Sequence, residues 1–173
     1  VAVYAPPSNQ PWDDAVTMAL TYAEIDYVTI WDPDVLGGNL DDYDWLHLHH
    51  EDFTGQYGRF YISYRNAPWY RQQVSEFEAM AAQLGFATVA EEKRAVAKAI
   101  RAYVASGGFI FAMCSATDTF DIALATEGLD IVTDAVDGTG MTPRYNDRLI
   151  FDHTVAFTDF RLEENTWEYE FSN

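Results

Sequence analysis

Hydrophobic and polar positions fall in blocks along this chain, and the period changes from block to block. "VAVYA", Val1–Ala5, is a short apolar run closed by Pro6 and Pro7 and a Ser-Asn-Gln-Pro turn, which predicts a first strand. Val16, Ala19, Leu20 and Ala23 then recur at the spacing of one helix face. Asp13 and Asp14 suit the positive end of that helix, predicted to start at about Pro11 or Asp13. "YVTIW", Tyr27–Trp31, predicts a second strand, cut off by Asp32–Pro33. After the Gly37–Gly38 turn, "DYDWLHLHH" predicts a third, from about Asp44 to His49.

The segment from Glu51 to Tyr70 is polar and aromatic without a clean period. A helix is predicted over Arg71–Leu84, with Val74, Phe77, Ala81 and Leu84 on one face and Gly85 past its end. Another, over Glu91–Ala105, buries Val96, Ile100, Tyr103 and Val104. Gly107–Gly108 turns the chain into "FIFAMC", apolar at every position as a central parallel strand is. Beyond Gly128 the runs "DIVT", "RLIF" and "TWEYEF" are short, strand-like and predicted to form an edge. Strands alternating with helices predict a flavodoxin-like, doubly wound α/β fold: a mainly parallel sheet with helices on both faces.

At 173 residues, 49% apolar and 16% aromatic, the chain has the material for one domain over residues 1–173. It opens and closes in strand-like runs and begins without Met, as a mature or truncated piece of a longer chain does. Ten cations against 28 acids give a net charge of −18, which repels phosphate backbones and anionic membranes, so no nucleic-acid partner is expected. No segment has the continuous apolarity of a membrane span. The single cysteine permits no internal disulfide, which leaves a cytoplasmic or an extracytoplasmic location open. No cofactor is expected.

Open α/β sheets bind ligands at the carboxyl ends of their strands. One predicted strand end carries His49, His50, Glu51 and Asp52; the other carries Cys114 and Ser115, with Thr117 and Asp118 opening the next helix. Amides at such a helix start can stabilise a thiolate or oxyanion, and a nearby imidazole can act as base. The plainer alternatives are an inert buried thiol at Cys114 and simple helix capping by Thr117 and Asp118. His47 and His49 share a strand face, and with Glu51 and Asp52 they are of ligand type for Zn or Fe. No second cluster at ligand spacing supports that, and no metal is assigned.

Phe53, Tyr57, Phe60, Tyr61, Tyr64, Trp69 and Tyr70 are interleaved with Arg59, Arg65 and Arg71. Such a loop can hold a sugar ring, a planar ligand or a protein partner, or it can simply cover the sheet end. The arginines can gather an anionic group or neutralise neighbouring acids.

"AIRAYVASGGFIFAMCSATDTFD" resembles the helix–Gly-Gly–strand–helix segment of ThuA-like proteins, in the class I glutamine amidotransferase-like superfamily. "FAMCSATDTFDIAL" is also similar to the elbow of the bacterial (Bacteroidetes-type) proteins labelled asparagine synthetase B. The resemblance covers about the first two-thirds of the chain. It implies a strand–helix elbow where the amidotransferases carry their catalytic Cys, at Cys114 here, and where ThuA-like proteins carry a His. The chain departs from the glutaminases in two places. His49, His50, Glu51 and Asp52 stand where a Gly-rich oxyanion loop is found, and the only late histidine, His153, is followed at the second position by Val155 rather than Glu. The glutaminase triad is therefore not recognisable.

Three functions fit these residues. The first is a Cys-dependent hydrolase or amidase with Cys114 as nucleophile and His49, His50 or Glu51 in acid–base roles. Its substrate would lie among Ser115, Thr117, Asp118, Asp52, Arg59, Tyr61 and Trp69. The second is a ThuA-like domain that binds or processes a carbohydrate. The third is a non-catalytic subunit using the 53–70 aromatic loop against a protein partner. The first two take a small amide or sugar-like substrate.

Overall fold

The computed structural model describes residues 1–7, 15–165 and 168–173. Four parallel strands, β1 (Ala2–Tyr4), β2 (Val28–Ile30), β3 (Trp45–Leu48) and β4 (Phe109–Ala112), form one sheet in the order β2-β1-β3-β4. Tyr4 is in register with Ile30 on one side and Leu48 on the other, and Leu48 with Ala112. The fold is α/β with flavodoxin-like strand order. Chain direction across the sheet reverses once: β1 to β2 runs one way, while β2 to β3 and β3 to β4 run the other. Right-handed crossovers then put α1 (Ala15–Tyr22) on one face. They put α2 (Asp32–Leu36), α4 (Pro68–Gln83) and α5 (Val89–Ala105) on the opposite face. Such a reversal, here between β1 and β3, is where open α/β sheets bind ligands.

The main core lies on the α5 side, where Ala2, Tyr4, Ile30, Leu46 and Leu48 meet Phe77, Val96 and Ile100. Helix α5 is well specified: Thr88 Oγ1 accepts the Glu91 amide (3.1 Å), and the Glu91 carboxylate accepts the Ala87 amide (3.1 Å). After the short α3 (Tyr61–Tyr64), helix α4 starts at Pro68, three residues before its predicted start, because proline is favoured in a first turn.

The other face is thinly covered. Of the predicted α1 face only Leu20 is buried, joined by Thr17; Ala19 and Ala23 are exposed. The predicted start of α1 lies outside the described residues.

Two expectations are corrected. "FIFAMC" is an edge strand, not a central one, and Phe109 and Phe111 are exposed on the thin face. The runs after Gly128 form no edge strand among the described residues, only an isolated bridge between Leu162 and Ser172. Their apolar residues fill a second cluster instead, in which Ile131, Leu162 and Phe171 pack with Ile122, Leu129 and Tyr145. Ile122 lies on α6 (Ala116–Ala125), whose Phe120, Ala123 and Leu124 belong to the main core. Buried Asp121 on the same helix accepts the amides of Val155, Ala156 and Phe157 at 2.7, 2.8 and 2.7 Å, tying the distal loop to α6.

Candidate active site at the strand ends

Cys114 is exposed and has φ +52°, a left-handed conformation that costs a side-chain-bearing residue energy and persists only where the surroundings hold it. Its surroundings do so. The Met113 amide continues the ladder to the Leu48 carbonyl (2.9 Å). The next residue then reverses the chain, so that Ala116 N–H donates to Met113 O and Thr117 N–H to Cys114 O, both at 3.1 Å. Thr117 Oγ1 reinforces the turn on Cys114 O (2.6 Å). The Ser115 carbonyl accepts from the amide and hydroxyl of Thr119. Among the described residues, the amides of Cys114 and Ser115 donate to no protein acceptor, and no imidazole hydrogen-bonds the thiol.

The end of β3 separates its candidates. His47 is buried and stacks on Phe111 (5.7 Å between centroids), with His49 6.0 Å from His47 and His50 3.5 Å from His49. These imidazoles follow the thin face. Glu51 is half-buried, and burial pushes its carboxyl up to about 8, with Lys93 pulling down and Asp32 and Asp52 pushing up. At neutral pH it therefore carries a proton. The Thr119 hydroxyl hydrogen is shared between the Ser115 carbonyl (2.6 Å) and the Glu51 carbonyl (2.9 Å), joining the β3 end to the opening of α6.

Asp52 accepts from Thr54 N (2.7 Å), Thr54 Oγ1 (2.5 Å) and Gly58 N (2.7 Å), so it folds the 52–58 loop. Burial raises its carboxyl and these bonds oppose the rise. The half-buried Asp118 carboxyl is also raised by burial, against its own amide and that of Thr119. His153 pairs with Glu127 (3.0 Å) beyond the far end of α6, a helix length of about 15 Å from the elbow.

Behind Glu51 lies a buried network that the sequence reading missed. Lys93 donates to Asp32 (2.6 Å) and to Tyr4 Oη (2.9 Å), and Tyr4 donates to Asp32; all three are at most 1% exposed. Lys93 Nζ also lies 4.9–5.4 Å from the ring centroids of Phe77, Trp31 and Tyr4. Glu92 is fully buried, with no donor to either carboxylate oxygen. Burial and the Asp32 charge push it up to about 8 against the pull of Lys93. Protonated, it can donate to Asp32, which is how two adjacent acids are accommodated out of water. A signal was present: positions 89, 92, 93, 96, 97 and 100 form one helical stripe, so Glu92 and Lys93 point inward with Val89, Val96, Ala97 and Ile100.

The aromatic loop splits in two. Phe60 is ringed by Tyr64 (5.8 Å), Trp69 (6.0 Å) and Tyr169 (5.5 Å), the last three exposed. Burial, then the charge of Cys114, push the Tyr169 phenol up, which places this aromatic wall beside the elbow. Arg59 instead clamps the C-terminal segment, donating to the carbonyls of Glu163 (2.6 Å) and Glu170 (2.5 Å), with Phe171 beneath it. Tyr61 faces a separate pocket with Arg65. A cavity of about 320 Å³ opens at the first turn of α6, lined by Thr117, Asp118, Phe157, Asp159 and Ser172.

The structure thus gathers Cys114, Ser115, Thr117 and Asp118 at one turn, joins it to the Glu51 backbone, and sets Trp69 nearby through Phe60 and Tyr169. Arg59 is bonded to the C-terminal segment, and Tyr61 lines a different pocket. Among the described residues no group of three His, Cys, Asp or Glu is placed to hold a metal ion. Compared with family models, with curated proteins and with solved structures, the chain matches none.

Proposed function

We propose that the chain is a Cys-dependent amide hydrolase of the class I glutamine amidotransferase-like type, with Cys114 as nucleophile. The observation that carries this reading is the left-handed, exposed Cys114 at a strand–helix elbow. The Cys114 thiol releases its proton to solvent, the thiolate attacks the substrate carbonyl, and the unclaimed amides of Cys114 and Ser115 receive the oxyanion. Glu51, protonated at neutral pH, gives its proton to the departing nitrogen as the C–N bond breaks. The resulting carboxylate takes a proton from the water that cleaves the thioester, which releases the acid and restores both groups. Glu51 suits this role better than His153, which is held at the far end of α6, or His47, which is buried against Phe111; His49 and His50 are the alternative acid–base groups of the same reading.

The test is ammonia or amine release from a panel of primary and secondary amides by the full chain, by Cys114→Ser and by Glu51→Gln. Turnover is expected from the parent chain, abolished by Cys114→Ser and reduced about 10²- to 10⁴-fold by Glu51→Gln. Turnover that survives Cys114→Ser contradicts the reading.

A further inference from the structure

Away from the elbow, the 56–65 loop and the segment around α7 (Asp134–Asp137) enclose a pocket of about 300 Å³. Its walls are apolar, from Tyr61, Ile62, Ala135 and Val136, and its cations are Arg59 and Arg65. None of its lining residues belongs to α6 or to the end of β3.

The state of the two arginines is informative in a chain of net charge −18. Lys93, Lys98, Arg144 and Arg161 each pair with a carboxylate. Among the described residues Arg59 and Arg65 form no such pair, like Arg71, Arg94, Arg101 and Arg148, but these two line one apolar pocket. Arg59 is spent on Gln56 Oε1 and two backbone carbonyls, and Asp52, Glu163 and Asp118 act on it without contact. Arg71 is turned away, bonded to Arg65 O and Asn66 Oδ1. Arg65 uses Nη1 on the Ile62 carbonyl (2.7 Å) and lies 6.0 Å from the Tyr61 ring centroid, and among the described residues its remaining N–H groups have no protein acceptor.

A planar guanidinium with open donors beside an apolar wall matches a carboxylate carried on an apolar body. The volume lies at the small end of ligand pockets, which favours a small ligand. The acidic surface also disfavours multiply charged anions more than a single carboxylate. A neutral apolar ligand gains no charge-assisted bond from the exposed guanidinium.

We propose that this pocket binds a small monocarboxylate, with its carboxylate on Arg65 and its apolar body against Tyr61, Ile62, Ala135 and Val136. The site is independent of Cys114, and its occupancy does not depend on the amidase reading.

The test is a ¹⁵N–¹H NMR titration of the full chain with phenylacetate and with its neutral isostere phenylacetamide. Phenylacetate is expected to shift the amides of Ile62, Ala135 and Val136 with a dissociation constant of about 1 mM or tighter. Phenylacetamide, and phenylacetate against Arg65→Gln, are expected to bind at least about tenfold more weakly. Val136→Trp, which fills the pocket, removes binding. The proposal is overturned if phenylacetate at about 20 mM leaves these amides unmoved. It is equally overturned if acid and amide bind alike, or if Arg65→Gln has no effect. Because Arg65 is exposed, Arg65→Gln decides the matter even if Val136→Trp does not fold.

Discussion

Glu92 and Glu51 enter the fold as neutral acids, and that makes their energetics opposite to those of a surface carboxylate. Each is pushed up to about 8 from an ordinary value of 4.5, chiefly by burial. Between those limits the folded chain holds protons that the unfolded chain has released, so stability falls as pH rises. The stabilising effect is complete below about 4.5 and lost as pH passes about 8. The raised carboxyls of Asp52 and Asp118 act in the same sense, while the lowered carboxyl of Glu127 opposes them from the surface. The urea midpoint is therefore expected to be higher at pH 5 than at pH 8. Glu92→Gln, which keeps the hydrogen-bond donor and cannot ionise, is expected to raise the midpoint at pH 8 and flatten the slope. A midpoint that climbs from pH 5 to pH 8 contradicts this account. Cys114 was legible in the sequence as a residue at an elbow. Its left-handed backbone was not, because Cys carries no preference for that region, unlike Gly or Asn.

At the scale of elements, the connection from α5 to β4 rests on a close approach. A Cβ on Gly108 would stand 2.2 Å from Tyr103 Cζ, and the Tyr103 hydroxyl donates to the Tyr43 carbonyl (3.0 Å), beside the start of β3. Gly108→Ala is expected to cost about 1–3 kcal/mol by chemical denaturation, because the ring must move and strain that bond. A cost within error of zero contradicts this. Both long helices were legible because their apolar residues keep the 3.6-residue period over four turns and their ends carry capping signals. β4 was misplaced because an all-apolar run resembles a central strand whether or not its second face is covered; Phe109 and Phe111 belong to a face that α1 covers only in part. The distal runs were read as strands because Ile131, Leu162 and Phe171 are apolar, yet they are anchored by packing and by Asp121 rather than by a ladder.

For the whole molecule, a net charge of −18 on 173 residues works against compaction. Screening relieves that repulsion over about 10 Å at 0.1 M salt, so raising sodium chloride from about 0.05 to 0.5 M is expected to raise Tm. A Tm that falls would mean that the favourable surface pairs, such as Lys98–Glu127, outweigh the repulsion. The reversal of strand order puts β1, β3 and the elbow after β4 at one end of the sheet, where Glu51 has the Lys93–Asp32 network behind it and Cys114 is open to solvent. The measurement that addresses this arrangement most directly is the rate of Cys114 alkylation by iodoacetamide at pH 7, followed by intact mass in the native chain and in urea. The account predicts that the native thiol reacts at least as fast as the unfolded one, since the elbow exposes it beside two unclaimed amides. A thiol that reacts more slowly in the native chain than in urea contradicts a presented nucleophile.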